Sequence, residues 1–184
     1  MTTPRQPRNR WFRLTLLLPI LVALVAACAP PPAGTARTAG VARDVDCPAG
    51  RHHALCVRSV AQARSDTAAR AISFALRQVG VPYSSTNRLG PTGYDCSGLV
   101  WRSYVSAGVD IGARTSGAIA TPGGVRVVVP MHERRPGDVL WHPSHVAISL
   151  ADGLMVEAAK PGTDVRVVGT AHRGFTRAIS ISAP

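Results

Sequence analysis

The sequence predicts an α+β domain in which N-terminal helices pack on a central antiparallel β-sheet. Two observations carry that prediction. Residues 65 to 107 hold helical apolar periodicity interrupted by one loop, and from residue 125 onward the pattern changes to six short β-rich runs. Helices first and strands afterwards argue for helices stacked on an antiparallel sheet rather than for an alternating parallel fold. The 184 residues, 46% of them apolar, suffice for one ordinary globular core.

The elements follow in order. Residues 1 to 27 read as an export signal: a basic stretch through Arg13, then a largely apolar run of 14 residues from Leu14 to Ala27. That run is shorter than the roughly 20 residues a bilayer span needs, so cleavage is expected. Its end, Val25-Ala26-Ala27-Cys28, resembles the lipobox of bacterial lipoproteins, in which the cysteine carries a lipid. A plain secretory signal with an incidental cysteine is the alternative. Residues 28 to 64 read as a tether from that anchor, with a stiff start at Pro30-Pro31-Pro32. Within it, Cys47 and Cys56 flank the short Pro48-Ala49-Gly50 turn and are expected to close a disulfide loop in an oxidising compartment. A zinc site fits poorly, because the spacing is not that of a zinc-ribbon pair and no second pair follows.

The folded domain is expected over residues 65 to 184. Ser65, Asp66 and Thr67 are cap candidates for a helix carrying Ile72, Ala75, Leu76 and Val79 on one face, stopped by Gly80 and Pro82. A loop over 81 to 94 delivers the chain to Asp95-Cys96. A second helix runs from Cys96 to about Ala107, with Gly108 as its exit. The expected strands are Val125 to Val129, Asp138 to His142, His145 to Leu150, Leu154 to Ala158, Val165 to Val168, and Ala178 to Ile181.

Charge narrows the partners. The chain carries a formal +11; loss of residues 1 to 27 removes four arginines and no acid, leaving 17 basic against 10 acidic residues, or +7. Anionic partners are favoured. No recognition helix, zinc finger or basic-aromatic cluster accompanies the charge, so nucleic acid is not expected. An anionic cell wall or lipid headgroup layer fits the charge as well.

Cys96 is the unpaired thiol. At the first turn of a helix it would sit beside unpaired backbone N–H groups and the positive end of the helix dipole, which stabilise a thiolate and could hold the oxyanion formed when it attacks a carbonyl. A buried, inert cysteine is the ordinary alternative; the polar neighbours Asp95 and Ser97 argue against it. The base is expected to be His145, which begins a strand whose core face carries Val146, Ile148 and Leu150. His145 shares the other face with the small Ala147 and Ser149, which would leave room there for the helix start. Glu157 follows across the turn Ala151-Asp152-Gly153. A two-residue loop would put it on the face opposite His145. A three-residue loop closed by a left-handed Gly153 would place it against Ala147, diagonal to His145 and on its face. The three-residue turn is therefore expected, with Glu157 holding the histidine tautomer as a triad carboxylate does.

Three ordered motifs, Tyr94-Asp95-Cys96-Ser97-Gly98-Leu99-Val100, Arg135-Pro136-Gly137-Asp138-Val139-Leu140 and Ser144-His145-Val146-Ala147-Ile148, resemble the NlpC-type family of papain-like cell-wall cysteine peptidases. The resemblance covers about residues 67 to 170 and extends to Gly153-Leu154-Met155-Val156-Glu157-Ala158. It implies a papain-like fold and hydrolysis of an amide in the peptidoglycan stem, often between D-glutamate and diaminopimelate, through a thioester on Cys96. It also implies that Tyr83, Asp95, Ser97, Arg114 and Ser116 line the substrate site, and that neither metal nor organic cofactor is needed. The sequence departs from the family where Tyr83-Ser84-Ser85-Thr86-Asn87 replaces the usual Tyr-x-Trp-Gly-Gly, at Ile119 in place of a common glutamine, and at Glu157, where many relatives have histidine. A wall-binding lipoprotein without turnover, and an amidase or acyltransferase on the same architecture, are the competing readings.

Overall fold

A computed structural model describes residues 44–171 and 173–181. The calls on the signal segment, on Cys28 and on the tether as far as residue 43 lie outside them. Four helices precede or accompany the sheet: α1 His53–Gln62, α2 Asp66–Arg77, α3 Cys96–Ser106 and the short α4 Ser116–Ala120. Six strands follow, β1 Arg126–Val129, β2 Val139–His142, β3 His145–Ser149, β4 Leu154–Glu157, β5 Arg166–Gly169 and β6 Arg177–Ile181, with a 3₁₀ turn at Met131–Glu133. They form one sheet in the order β1-β6-β2-β3-β4-β5, every neighbour antiparallel. All six expected strands are present within a residue or two.

Local chemistry explains the helix ends. Ser65 Oγ accepts the Ala68 N–H at 3.1 Å, starting α2, and Thr115 Oγ1 does the same for Ala118 in α4. Gly108, at φ 89°, takes the left-handed conformation that ends α3. Helices α2 and α3 pack Ile72, Leu76, Leu99, Val100 and Tyr104 against Val139, Val146, Ile148, Val156 and Ile179 of the sheet.

The tether expectation is corrected over 44 to 64. That stretch belongs to the domain: α1 buries Leu55, Cys56, Ser59 and Val60, and Ser59 Oγ accepts the Ala151 N–H at 2.9 Å. The disulfide Cys47–Cys56 ties the chain before α1 to this helix. Asp46 O accepts from Ser73 and Arg77 of α2, extending the attachment. The apolar face of α1 is made partly of cysteine and serine among arginines and histidines, which is why its periodicity reads weakly in the sequence.

The Arg-Pro-Gly-Asp segment fixes where β2 begins. Asp138 is buried and accepts from Arg64 Nη2 at 3.1 Å and from the Arg135 N–H at 2.8 Å. Gly137 lies at φ 91° with Ala68 so close that a Cβ would come within 2.6 Å of its methyl group. The sheet is thereby locked to α2 and to the link between α1 and α2 at the strand that leads into β3.

Candidate active site

Asp95 builds the start of α3. Its Oδ1 accepts the Gly98 N–H at 2.5 Å, and the single Ser97 hydroxyl proton lies between Asp95 Oδ1 at 3.0 Å and Arg114 O at 3.1 Å. Ser97 is buried. Both side chains hold the helix start and so position Cys96. Gly98 has a second reason to lack a side chain, since a Cβ there would lie 1.9 Å from the Arg88 carbonyl oxygen. The loop after Tyr83 packs its backbone against the nucleophile's helix at this point. Arg88 Nη1, 3.3 Å from Asp95 Oδ2, makes the same bridge from its side chain.

Cys96 is the free cysteine of the described residues and is partly exposed. His145, the first residue of β3, lies beside it, near enough for Cys96 to help raise the imidazole pKa. The other partner of the imidazole is Glu157, whose Oε2 lies 2.8 Å from Nε2, which leaves Nδ1 as the nitrogen for the thiol. Glu157 reaches this position through the β3–β4 turn. Ile148 pairs with Val156 and Ser149 with Met155, a register that sets Glu157 against Ala147 as expected. The turn uses two left-handed residues, Asp152 at φ 60° and Gly153 at φ 70°, where one was expected, and the Leu154 N–H closes it on Ala151 O at 3.1 Å.

Ala147 and Ser149 do not receive the helix. The helices lie on the Val146 and Ile148 face; Ala147 joins Leu140, Met155 and Ala178 in a second apolar layer covered by Met131, Val168 and Phe175. Because His145 is terminal in its strand, its ring is free to meet Cys96 at the strand's end. Phe175 stacks on that ring, centroids 6.1 Å apart.

Glu157 is fully buried and carries more charge partners than the sequence indicates. Arg166 donates to Oε1 from Nε at 3.1 Å and Nη2 at 2.9 Å, and Arg173 Nη2 donates to the same oxygen. Burial alone would raise this carboxyl. The hydrogen bonds from His145 and Arg166 and the charges of His145 and Arg173 outweigh it and bring the pKa down to about 2. For His145, burial is likewise the largest single influence and favours the neutral ring. It is overcome by hydrogen bonds to Cys96 and Glu157 and by their charges, which raise the pKa to about 9.

Tyr83 is half-buried beside these groups: burial first, then the charges of Cys96 and Asp95, raises its phenol pKa. Arg114 is exposed, with its guanidinium stacked 4.4 Å from the Trp101 ring centroid. Ser116 contributes its carbonyl, which accepts from Trp141 Nε1 at 2.9 Å. Arg166, Arg173, Phe175 and Arg88 were not identified from the sequence. Only Arg166 carried a usable signal, as the cross-strand partner of Glu157 once the β4–β5 register is known.

Helices on one face of an antiparallel sheet, with a cysteine at a helix start facing a strand histidine, define the papain-like architecture. Within it, the NlpC/P60 family model matches residues 80–181, and the chain belongs to that family. A probable endopeptidase of Mycobacterium tuberculosis is 40% identical over 100 residues, covering 53% of this chain and 25% of its own. Peptidoglycan endopeptidase RipA of the same organism is 34% identical over 117 residues, 55% of this chain and 24% of that one. A RipA structure superposes with a TM-score of 0.56 at 30% identity, covering 62% of each chain. RipD of M. tuberculosis, described as a non-catalytic NlpC/p60 domain protein adapted to peptidoglycan binding, superposes at 0.53 with 28% identity, covering 64% of this chain and 98% of its own. The chain spans about a quarter of the length of the curated relatives it matches.

Proposed function

We propose that this chain is a cysteine endopeptidase that hydrolyses amide bonds in the stem peptides of bacterial peptidoglycan. The observation that carries the reading is the placing of His145 between Cys96 at the start of α3 and Glu157, whose Oε2 lies 2.8 Å from its Nε2. Family membership and relatives named as endopeptidases support the substrate class.

The raised pKa of His145 favours an imidazolium at neutral pH, and the Cys96 thiolate is the nucleophile of this mechanism. The thiolate attacks the scissile carbonyl carbon, and backbone N–H groups at the start of α3 hold the oxygen that becomes negative. As the tetrahedral adduct collapses, the C–N bond breaks, the amine leaves with the proton of His145, and a thioester remains on Cys96. Neutral His145 then takes a proton from water, the hydroxide adds to the thioester, and the C–S bond breaks to restore thiolate and imidazolium. Glu157 keeps Nε2 protonated throughout, so that Nδ1 faces the reaction. Within this reading the bond between D-glutamate and diaminopimelate is the preferred target, Tyr83 lines the cleft, and the protein is exported, cleaved after residue 27 and anchored through a lipid on Cys28.

One observation favours a second reading, wall binding without turnover: the segment after Tyr83 departs from the family, and RipD shows the same fold described as non-catalytic. Mass spectrometry of defined muropeptides incubated with residues 29 to 184, wild type beside Cys96→Ala, separates the two. Cleavage by the wild type alone supports the peptidase and names the bond. Binding by both with every stem intact supports the scaffold.

A further inference from the structure

The two oxygens of Glu157 do different work. Oε2 meets His145, and Oε1 collects three N–H groups from Arg166 and Arg173. Arg166 comes from β5 directly across from Glu157, and Arg173 from the β5–β6 connection, the same connection that supplies the Phe175 ring against His145. We propose that Arg166 and Arg173 are positioning residues for catalysis, a guanidinium clamp that anchors Oε1 and keeps Glu157 an ionised, fixed acceptor for His145 through the whole reaction. The proposal rests on the cysteine-peptidase reading.

The chemistry of the cycle calls for such a clamp. A buried carboxylate is costly unless compensated by opposite charge and hydrogen bonds. His145 compensates it only while protonated, and during turnover the imidazole gives its proton to the leaving amine. At that moment an unclamped Glu157 would be a buried anion beside a neutral ring, inclined to take a proton and to stop accepting from Nε2. Arginine stays charged at every pH the enzyme meets, so its contribution does not vary with the state of His145. With Oε1 held by Nε and Nη2 of Arg166 and Oε2 meeting His145, the carboxylate is pinned at both oxygens. Both arginine side chains are partly open to solvent, at 41% and 34% exposure, while Glu157 is fully covered.

The test uses the disulfide-intact chain and the variants Arg166→Gln, Arg173→Gln, the double change and Arg166→Lys, with folding checked by circular dichroism. Two readouts are needed: kcat and KM on a defined muropeptide, and the proton NMR resonance of His145 Hε2 in labelled protein. The expected result is a kcat lower on the order of 10-fold in each single variant and on the order of 10²-fold in the double, with KM little changed. Arg166→Lys should fall between wild type and Arg166→Gln. The strongly deshielded Hε2 resonance should shift upfield or broaden in the same rank order. An unmoved Hε2 in folded variants, or a loss confined to KM, would overturn the clamp, the latter by placing the arginines on substrate. The NMR readout does not need turnover, so a wild type that cleaves nothing would sink the peptidase reading, while a shifted Hε2 would still show the arginines acting through Glu157. Should the double variant fail to fold, the single variants carry the test.

Discussion

His145 Nε2 and Glu157 Oε2 lie 2.8 Å apart, although the two residues are diagonal rather than direct partners across β3 and β4. The Glu157 position faces Ala147, whose methyl leaves the carboxylate room to lean toward the end of the strand. Pair and reach therefore depend on the residue count of one turn, since a one-residue slip would move Glu157 to the opposite face of the sheet.

This pair makes folding stability depend on pH at both ends. Folding raises the His145 pKa from its ordinary 6.5 to about 9, so its contribution is complete below about 6.5 and is lost as pH rises through 9. Folding lowers the Glu157 pKa from 4.5 to about 2, so that contribution is present above 4.5 and is lost as pH falls through 2. Urea midpoints measured across pH should fall along both limbs. His145→Gln should flatten the alkaline limb; a limb of unchanged slope would assign it to other groups.

Cys96 supports the imidazolium by hydrogen bond and by charge. In Cys96→Ala the His145 pKa should therefore fall from about 9 toward its ordinary value, while Glu157 keeps it from falling further under burial. An imidazole NMR titration of the two proteins reads this directly. Identical titration midpoints would mean that thiol and imidazole do not interact in solution.

Gly98→Ala should impair the site without touching any reacting group. The new Cβ would meet the backbone oxygen of Arg88 at 1.9 Å, and a backbone atom cannot rotate aside. Either the loop after Tyr83 or the first turn of α3 must shift. The expected stability loss is about 1–3 kcal/mol, with reduced thiol alkylation rate at Cys96. Wild-type melting and wild-type alkylation would show that the loop yields freely.

The candidate site was legible in the sequence because it depends on local signals: a helix start at Cys96, and strand parity linking His145 to Glu157. What escaped was set by long-range packing. The apolar stripe of α1 becomes visible only when Cys56 is counted as a buried half-cystine and Ser59 as a buried hydroxyl. Arg166 and Arg173 look like ordinary surface arginines until β5 is paired with β4 and the following connection folds back over the second layer. Ala147 looked like space for a helix because a small residue does not announce which layer it serves; Leu140 and Met155 fill that space.

Reducing or removing the Cys47–Cys56 disulfide should loosen α1 and, through Ser59 and Arg64, the turn and strand start it supports. For a loop of nine-residue separation the chain-entropy effect is about 2–3 kcal/mol. Cys47→Ala/Cys56→Ala should lower the urea midpoint accordingly, with faster hydrogen exchange at Ala151. Unchanged exchange there would show that α1 holds without its covalent tie.

Glu157→His tests how far the third position of this site has adapted to a carboxylate. The family resemblance implies that a histidine can fill this position, so the change would be neutral if the position stood alone. Here a histidine would face two guanidiniums that have lost their shared anion, and its cationic form would be repelled by both. A neutral ring could still accept from His145 through one nitrogen, but nothing would satisfy Arg166 and Arg173. Turnover should therefore drop on the order of 10²-fold, the magnitude a misplaced catalytic geometry commonly costs. Adding Arg166→Gln to Glu157→His should recover part of that loss, because it relieves the repulsion. Activity of the single variant near wild type, or a double variant worse than the single, would mean that the arginines do not determine which side chain works at residue 157.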